Sequence, residues 1–291
     1  WDDAQVHVLT HALHYGTGVF EGIRCYDTES GPAVFRLDAH LDRFYASGQP
    51  YDLEIPFDRG TVAEAIVELI DRQDLRACYI RPIAFYGYDR LGLSPADVPV
   101  SVAVACWPWG AYLGEEALEE GVEVMVSSWR KYGSDVIPTN AKTTGPYVNS
   151  VLAGEEARRN GFTEALVLNQ EGNVAEGPGE NLFVVRDGEL YTPGLAEGIL
   201  DGITRNAVIT IAEDLGYAVH DEATVSRGEL YTADELFFSG TAAEVTPIRQ
   251  VDNVEIGAGT KGPVTDEIQT RFFDVVEGRA DAYDDWFTYV G

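Results

Sequence analysis

The residue of this sequence best suited to covalent chemistry is a lysine. The chain has 20 basic residues, and three of them are lysines, Lys131, Lys142 and Lys261. Lys142 lies in the segment 138–147 (PTNAKTTGPY), which joins a predicted strand to a predicted helix and consists largely of small and hydroxylated residues. An amine that is desolvated in such a junction can lose its proton and form a Schiff base, which arginine cannot do. Spacing alone leaves an ordinary ion-paired lysine as the alternative. The local sequence places Lys131 in a charged loop and Lys261 in a turn.

Other groups of residues that carry chemistry are weak or missing. His7, His11 and His14 recur at four- and three-residue spacings, but no acidic ligand accompanies them and the surrounding residues are typical of extended chain. We therefore predict structural or hydrogen-bonded histidines rather than a metal site. The sequence has no GxSxG nucleophile elbow and no GxxxxGK[ST] phosphate loop. The glycines of 177–180 lack the third glycine of a dinucleotide fingerprint and precede a predicted strand, which argues against NAD binding.

The charge of the chain excludes several kinds of partner. Among 291 residues, 49 are acidic and 20 are basic, which gives a formal net charge of −29. Such a surface repels nucleic-acid phosphates and anionic membranes, so we expect neither partner. The acidic surface and the scarcity of lysine indicate a halophilic source, with an acidic mesophilic protein as the alternative. The hydrophobic share of 45% can fill a sizeable core, so a disordered chain is excluded.

The cysteines bear on the cellular compartment. Cys25, Cys78 and Cys106 are odd in number and form no CxxC pair, which predicts unbridged thiols in a reduced, cytoplasmic protein. No apolar run approaches the about 18 residues of a membrane-spanning helix. Because the sequence opens at Trp1 without a methionine, we expect some N-terminal residues to be missing.

The elements that must position Lys142 are a strand before it and a helix after it. Hydrophobic periodicity predicts a mixed α/β (α+β) chain in two domains, with mostly antiparallel pairing in the first. The predicted division is a small N-terminal α/β domain at 1–112, an interdomain loop at 113–119 and a large domain at 120–291. The predicted strands are 19–26, 33–37, 79–86, 100–107, 122–129, 163–168, 174–185 and 235–239. The predicted helices are 40–49, 61–72, 147–159, 203–215 and 263–277.

Six short segments form a pattern that runs along nearly the whole chain. They are 11–24 (HALHYGTGVFEGIR), 79–82 (YIRP), 137–142 (IPTNAK), 176–183 (EGPGENLF), 202–205 (GITR) and 239–244 (SGTAAE). In this order they resemble the branched-chain amino-acid aminotransferases of the fold-type IV pyridoxal-phosphate family. The resemblance implies the two-domain fold-type IV architecture, with the cofactor in the large domain. It also implies pyridoxal 5'-phosphate-dependent transfer of amino groups between leucine, isoleucine or valine and 2-oxoglutarate.

The resemblance also implies which residues hold the cofactor. Pyridoxal phosphate is expected as a Schiff base on Lys142, which then moves a proton between the substrate Cα and the cofactor C4′. Glu176 is expected to face the pyridine nitrogen and keep it protonated, so that the ring can accept electrons. Tyr147 is expected to hydrogen-bond the phenolate oxygen of the ring. The phosphate is expected to be bound by a cation, a helix N-terminus and a hydroxyl, from Arg43, Ile203, Thr204 and Thr241.

The substrate pocket has to accept both a branched side chain and the γ-carboxylate of glutamate. The resemblance implies that Tyr15 and Arg81 meet the γ-carboxylate, while the backbone N–H groups of Thr241 and Ala242 hold the α-carboxylate. Arg24 is expected to line the site without an assigned role. The apolar walls are expected to consist of the aromatic residues Tyr15, Phe20, Trp109, Tyr112 and Tyr147. Tyr79 is expected to lie nearby.

The expected partners are small amino-acid and 2-oxo-acid substrates and further copies of the chain. The resemblance implies a homodimer or a dimer-built homohexamer, in which Leu93 reaches the neighbouring site. Two other activities of the same fold remain as alternatives, those of a D-amino-acid transaminase and of an aminodeoxychorismate lyase. The pair Tyr79 and Arg81 and the segment 240–244 favour the branched-chain group. A catalytically silent acidic binding protein is the alternative from a different class.

Overall fold

The computed structural model describes residues 4–110 and 112–291, and it places their strands in two sheets. The strands, numbered along the chain, are β1 (Gly18–Phe20), β2 (Ile23–Thr28), β3 (Gly31–Phe35), β4 (Cys78–Tyr86), β5 (Val100–Trp107), β6 (Val122–Arg130), β7 (Glu164–Leu168), β8 (Val174–Glu176), β9 (Asn181–Arg186), β10 (Glu189–Pro193), β11 (Val219–Ala223), β12 (Glu235–Gly240), β13 (Glu244–Val251), β14 (Val254–Glu255) and β15 (Phe287–Tyr289). The α-helices are α1 (His11–Tyr15), α2 (Leu37–Gly48), α3 (Arg59–Arg72), α4 (Glu115–Glu120), α5 (Tyr147–Arg159), α6 (Ile203–Asp214), α7 (Arg227–Leu230) and α8 (Pro263–Val276), and short 3-10 helices lie at Gln49–Tyr51, Leu195–Glu197 and Asp281–Trp286.

The first sheet has the strand order β1-β4-β2-β3-β15, and β5 pairs with β4. Its strand pairs are antiparallel, as predicted for the first part of the chain. Helix α3 begins after Asp58, whose side chain accepts a hydrogen bond from Thr61 N at 2.8 Å. Helices α2 and α3 bury their apolar sides in a shared core with the sheet, which includes Ile23, Leu41, Ile66 and Ile80.

The second sheet is mixed, with the strand order β11-β10-β9-β12-β13-β6-β7-β8. The pairs β10–β11, β13–β6 and β6–β7 are parallel. Helices α6 and α8 share a core with this sheet, which includes Phe183, Val208, Phe237 and Phe272. Helix α5 packs through Ala153 and Ala157 against Ala165 and Val167 of β7. The two sheets with their helices confirm the predicted mixed α/β fold.

Two strands that were predicted as continuous are each interrupted by a short break, at 21–22 and at 177–180. The predicted strand 19–26 breaks between β1 and β2, where a Cβ atom on Gly22 would lie 2.1 Å from Tyr79 Oη. The predicted strand 174–185 breaks between β8 and β9, because 177–180 form a turn in which Gly177 N donates to Glu180 O at 2.8 Å. The extended chain that was predicted around His11 is wrong as well, since His11–Tyr15 is a short helix.

The last strand of the chain bears on the predicted division into domains. Strand β15 pairs with β3 in the first sheet, and its Phe287 also packs against the core that α6 and α8 share with the second sheet. The reason is local packing, because Phe287 and Trp286 lie against Phe35 at the end of β3. The boundaries 1–112, 113–119 and 120–291 stay a prediction. Among the described residues, no helix combines the length and the apolar character needed to cross a membrane.

Candidate functional site

The loop that carries Lys142 connects β6 to α5 and is tied to the first sheet. Phe20 N donates to Lys142 O at 3.1 Å, and Thr144 N donates to Gly18 O at 2.8 Å. Lys142 N donates to Ser47 Oγ, on α2, at 2.9 Å. The lysine therefore lies where elements of the two sheets meet.

Lys142 has the environment of a reactive amine. Its Nζ donates to Tyr147 Oη at 2.6 Å and lies 5.1 Å from the centroid of the Phe20 ring. Burial, assisted by the nearby Arg43 guanidinium, lowers the pKa of Lys142 from 10.5 to about 8. A larger share of this amine is therefore uncharged near neutral pH than of an exposed lysine.

Lys131 lies beside Lys142 in the same cavity, in the loop after β6 where it was predicted, but it is buried there. It is 8% exposed, and its ammonium group contacts Glu176 Oε1. Burial alone would lower the pKa of Lys131, but the Glu176 carboxylate outweighs burial and raises it. Lys131 is therefore held in its charged form, and of these two lysines only Lys142 is suited to attack a carbonyl.

Glu176 ends β8 at the break that the sequence did not predict. Its Oε2 accepts from Leu200 N at 2.9 Å and from Asn181 Nδ2 at 3.2 Å. Together with Lys131 these donors fix the carboxylate in the wall of a cavity that Lys142 and Tyr147 also line. A buried carboxylate held in this way can accept a hydrogen bond from a protonated ring nitrogen.

Glu180 is a second buried carboxyl group in this cavity, and sequence reasoning missed it. It is 4% exposed, and its Oε2 accepts from Gly179 N at 3.0 Å. Burial and the nearby Glu164 raise the pKa of Glu180 well above its ordinary value. Burial also raises the pKa of Glu164 to about 7. These groups differ from Glu176, which has a cationic partner.

Arg43 is positioned by a buried carboxylate. Glu21 is fully buried and accepts from Arg43 Nε at 2.7 Å, from Arg43 Nη2 at 2.8 Å and from His40 Nδ1 at 2.7 Å. Burial alone would raise the pKa of Glu21, but Arg43 and His40 outweigh burial and lower it to about 2. Sequence reasoning missed Glu21 and His40. The signal for Glu21 was an acidic residue inside the apolar run 18–23.

The first turn of α6 lies next to Arg43. Arg43 Nη1 donates to Asp201 O at 2.7 Å, and both Arg43 and Ile203 line one open pocket. The helix begins after Gly202, which offers no capping side chain, so the N–H groups of Ile203 and Thr204 lack that partner. A guanidinium beside a free helix N-terminus is a setting for a phosphate.

Arg81 presents an unused donor beside the aromatic residues. Its guanidinium lies 4.7 Å from the centroid of the Phe20 ring, and its Nη2 donates to Tyr79 Oη at 2.9 Å. Its Nε is buried and has no hydrogen-bond partner in the described part of the chain. A buried donor without a partner is costly, which points to an anionic group as the missing acceptor.

Four of the predicted wall residues form edge-to-face aromatic contacts. Trp109 lies 4.5 Å from Tyr79 and 5.8 Å from Tyr112, measured between ring centroids. Phe20 lies 4.9 Å from Tyr147 in the same way. The structure does not join Tyr15 to this group, because Tyr15 is 42% exposed and packs on His11 at 4.7 Å.

In the structure of the single chain, two predicted features do not line the cavity around Lys142. They are Leu93 and the 241–242 turn. Leu93 is 88% exposed, in a loop that is fixed by a hydrogen bond between His11 Nε2 and Gly92 O at 2.8 Å. Thr241 and Ala242 form the turn between β12 and β13, and their carbonyl groups accept hydrogen bonds from Arg24. The donors of Arg24 are therefore occupied by the backbone.

The arrangement has the chemistry to hold an elongated phosphorylated pyridine. Arg43 and the α6 N-terminus offer binding for a phosphate, Glu176 offers an acceptor for a ring N–H, and Tyr147 offers a hydroxyl. Lys142 Nζ, with its lowered pKa, offers the amine that attacks a carbonyl.

Known proteins are similar to this chain over its full length. The family model described as amino-transferase class IV matches residues 18–251. A branched-chain-amino-acid aminotransferase of Pseudomonas aeruginosa is 48% identical over 290 residues, which cover 100% of this chain and 94% of the relative. The crystal structure of the Escherichia coli branched-chain amino acid aminotransferase superposes with a TM-score of 0.97 at 47% identity, covering 100% of this chain and 96% of that one.

A structure that contains the cofactor is also similar. The branched-chain amino acid aminotransferase from Thermobaculum terrenum, in its PLP-form (holo-form), has a TM-score of 0.92 and 37% identity, covering 100% of this chain and 95% of that one. The family model spans well over half of the chain, and the relatives match it from end to end. On this ground the chain belongs to the class IV aminotransferases.

Proposed function

We propose that the protein is a branched-chain-amino-acid aminotransferase that moves the amino group between leucine, isoleucine or valine and 2-oxoglutarate. The observation that carries the proposal is the position of Lys142, whose pKa is lowered to about 8, in one cavity with Tyr147 and the fixed carboxylate of Glu176. Relatives that are 47–48% identical over 290 and 291 residues carry this name.

The cofactor is pyridoxal 5'-phosphate. When bound, it supplies a carbonyl for the amino group and a ring that withdraws electrons from the substrate Cα. Arg43 and the N–H groups of Ile203 and Thr204 would bind its phosphate, with the hydroxyl of Thr241 as a further donor. Glu176 would accept the ring N–H, and Tyr147 would donate to the ring oxygen. Glu21 holds Arg43 in place through two hydrogen bonds of 2.7 and 2.8 Å.

Lys142 has two tasks in this mechanism. Its Nζ would hold the cofactor between turnovers, and as a free amine it would take up the proton of the substrate Cα. A pKa of about 8 suits both tasks, because the amine is neither permanently charged nor too weak a base. Tyr147, 2.6 Å away, orients Nζ.

One pocket serves two chemically different side chains. The aromatic group of Phe20, Trp109 and Tyr112 buries a leucine side chain, which is worth about 2 kcal/mol. Arg81, whose Nε lacks a partner among the described residues, meets the γ-carboxylate of glutamate or 2-oxoglutarate. The N–H groups of Thr241 and Ala242 hold the α-carboxylate of either substrate. Tyr15 stays a proposed second donor to the γ-carboxylate.

The working assembly is a homodimer or a homohexamer built from dimers. Leu93 is 88% exposed, and α5 exposes Val148 at 63% and Val151 at 61%. These apolar side chains support contact with a second copy, in which Leu93 reaches the neighbouring pocket. Three buried, unbridged thiols support a cytoplasmic site of action, and the net charge of −29 supports a halophilic source.

The experiment that tests the proposal is a substrate panel on the purified holoenzyme. We expect leucine, isoleucine and valine to transfer their amino group to 2-oxoglutarate, and glutamate to transfer its amino group to the branched-chain 2-oxo acids. Activity with D-alanine alone would make the protein a D-amino-acid transaminase, and cleavage of aminodeoxychorismate would make it a lyase. If the purified protein shows no visible absorbance band that phenylhydrazine removes, it is a binding protein without catalytic activity.

A further inference from the structure

The guanidinium of Arg24 is bound almost entirely by backbone carbonyl groups. Its Nε donates to Thr241 O at 2.8 Å, and its Nη2 donates to Ala242 O at 3.0 Å and to Gly110 O at 3.1 Å. Among the described residues its carboxylate partner is Glu244, at 3.8 Å. The side chain is about one-tenth exposed. A buried arginine whose donors are occupied by backbone carbonyl groups has a different role from an arginine that binds a substrate carboxylate directly.

The geometry of the peptide bond shows what this task is. In a trans peptide the C=O and the N–H of one unit point in opposite directions. The carbonyl of Thr241 points at Arg24, so the N–H of Ala242, which belongs to the same peptide unit, points away from it. Neither Thr241 N nor Ala242 N has a backbone acceptor among the described residues. Arg24 therefore lies behind the 241–242 peptide unit, whose free N–H points away from the guanidinium.

We propose that Arg24 is a positioning residue for the α-carboxylate of the substrate, and that it acts through the peptide groups of the 241–242 turn. A guanidinium on a carbonyl oxygen draws electron density from the peptide and makes its N–H a stronger donor. The α-carboxylate is then bound by neutral N–H groups that are backed by a buried positive charge. The inference rests on the proposed function, which brings the α-carboxylate to this turn.

The same guanidinium also anchors the aromatic wall. Its Nη2 bond to Gly110 O fixes the segment that follows Trp109, and the Trp109 ring packs on Tyr79 at 4.5 Å. Arg24 thus connects the turn that holds the α-carboxylate to the wall that holds the side chain. Both substrate classes share these two features, so both depend on Arg24 equally. Arg81, in contrast, is needed only by a substrate with a second carboxylate.

The test uses a ligand that binds without reacting. The probe is 4-methylvaleric acid, which has the carboxylate and branched side chain of leucine but no amino group. Its Kd is measured by absorbance titration of the wild-type, Arg24→Gln and Arg24→Lys holoenzymes. We expect Arg24→Gln to raise Kd about 10- to 100-fold, the range of a lost charge-assisted interaction. Arg24→Lys should recover part of the loss, because lysine keeps the charge but not the forked contacts.

Two comparisons separate this role from a merely structural one. The amide of 4-methylvaleric acid has no charge, so Arg24→Gln should weaken the acid far more than the amide. The KM values for leucine and glutamate should rise by the same factor, whereas Arg81→Gln should raise only that for glutamate. An unchanged Kd for the acid in Arg24→Gln, or equal losses for acid and amide, would overturn the inference. Failure of the wild-type enzyme to transaminate leucine would instead overturn the proposed function.

Discussion

The ammonium group of Lys131 and the carboxylate of Glu176 form a buried ion pair inside the cavity that also contains Lys142. The second oxygen of Glu176 is held by Leu200 N at 2.9 Å. The pair gives the two lysines opposite properties. Burial and Arg43 lower the pKa of Lys142 to about 8, whereas Glu176 raises the pKa of Lys131. One lysine is therefore suited to act as a nucleophile, and the other is held as a cation.

The same substitution should have opposite outcomes at the two lysines. Lys142→Arg should abolish transamination, because arginine keeps the charge but does not form an imine. Lys131→Arg should retain much of the activity, because it needs only to keep a positive charge against Glu176. Lys131→Met should lose activity and stability, since it leaves a buried carboxylate without its cation. Steady-state rates with leucine and 2-oxoglutarate measure all three.

A chemical map checks the same assignment without activity. Borohydride reduction of the holoenzyme followed by peptide mass mapping should place the pyridoxyl group on Lys142. Lys261 serves as the internal control, because it lies outside the cavity and pairs with Asp266 at 2.8 Å. An adduct on Lys131 or Lys261 would refute the assignment of the nucleophile.

The Glu21 carboxylate should contribute strongly to the free energy of unfolding, and this contribution should be lost in acid. Its pKa of about 2 lies below the ordinary 4.5, so the carboxylate stabilises the folded state above pH 4.5. That stabilisation is lost as the pH falls from 4.5 towards 2. We expect Glu21→Gln to cost about 3–5 kcal/mol at neutral pH, because Arg43 and His40 lose a fully buried partner.

The measurement is the urea midpoint of the holoenzyme as the pH is lowered. The difference between wild type and Glu21→Gln should shrink below pH 4.5, where the wild-type carboxylate begins to lose its advantage. Asp27→Asn is the matched control, because Asp27 pairs with Arg76 at the exposed surface and should matter little. A difference that stays constant with pH would contradict the argument.

The sequence predicted the elements around the site better than the breaks within them. Periodicity predicted a helix at 147–159 and strands at 79–86 and 100–107, which agree closely with α5, β4 and β5. It missed the break after Glu176, because 174–185 is apolar at both ends and strand periodicity does not register a turn of four residues. It also missed β15, whose three residues join the first sheet only through tertiary packing.

For the candidate site, motifs identified single residues but not the partners that position them. Lys142 stood out through its small neighbours, whereas Lys131 followed an arginine and looked solvated. In its buried position, Lys131 contacts the carboxylate of Glu176, which is 45 residues away along the chain. Likewise, Glu21 and Arg43 meet only once β1 and α2 are packed together. Such long-range pairs cannot be inferred from local composition, because they depend on the tertiary structure.

Salt should stabilise the folded protein. With 49 acidic and 20 basic residues, repulsion between carboxylates outweighs the surface ion pairs that salt also weakens. Raising the salt from about 0.01 M to about 1 M shortens the screening length from about 30 Å to about 3 Å. We expect Tm to rise throughout a KCl series of this range. At a pH near 4.5, where more carboxylates are protonated, the increase should be smaller. A flat or falling Tm would remove the support for a halophilic source.

Arg81 should separate the two classes of substrate. Its Nε is buried without a partner among the described residues, and its Nη2 is engaged only by Tyr79 Oη at 2.9 Å. A γ-carboxylate would use the free donor, whereas a leucine side chain leaves it unpaired in either case. Removing the guanidinium therefore costs glutamate a charge-assisted hydrogen bond, worth about 1.5–3 kcal/mol, and costs leucine much less.

We accordingly expect Arg81→Gln to lower kcat/KM for glutamate and 2-oxoglutarate about 10- to 100-fold, with a far smaller change for leucine and its 2-oxo acid. Half-reaction kinetics with each substrate alone measure the two effects separately. Arg90→Gln is the matched control, because Arg90 is 55% exposed and pairs with Asp97 in a surface loop. Equal losses for both classes would mean that Arg81 supports the pocket through its contacts with Phe20 and Tyr79. In that case the acceptor of the γ-carboxylate would have to be another donor, and Arg24 is unsuited because its donors already bind Thr241 O, Ala242 O and Gly110 O.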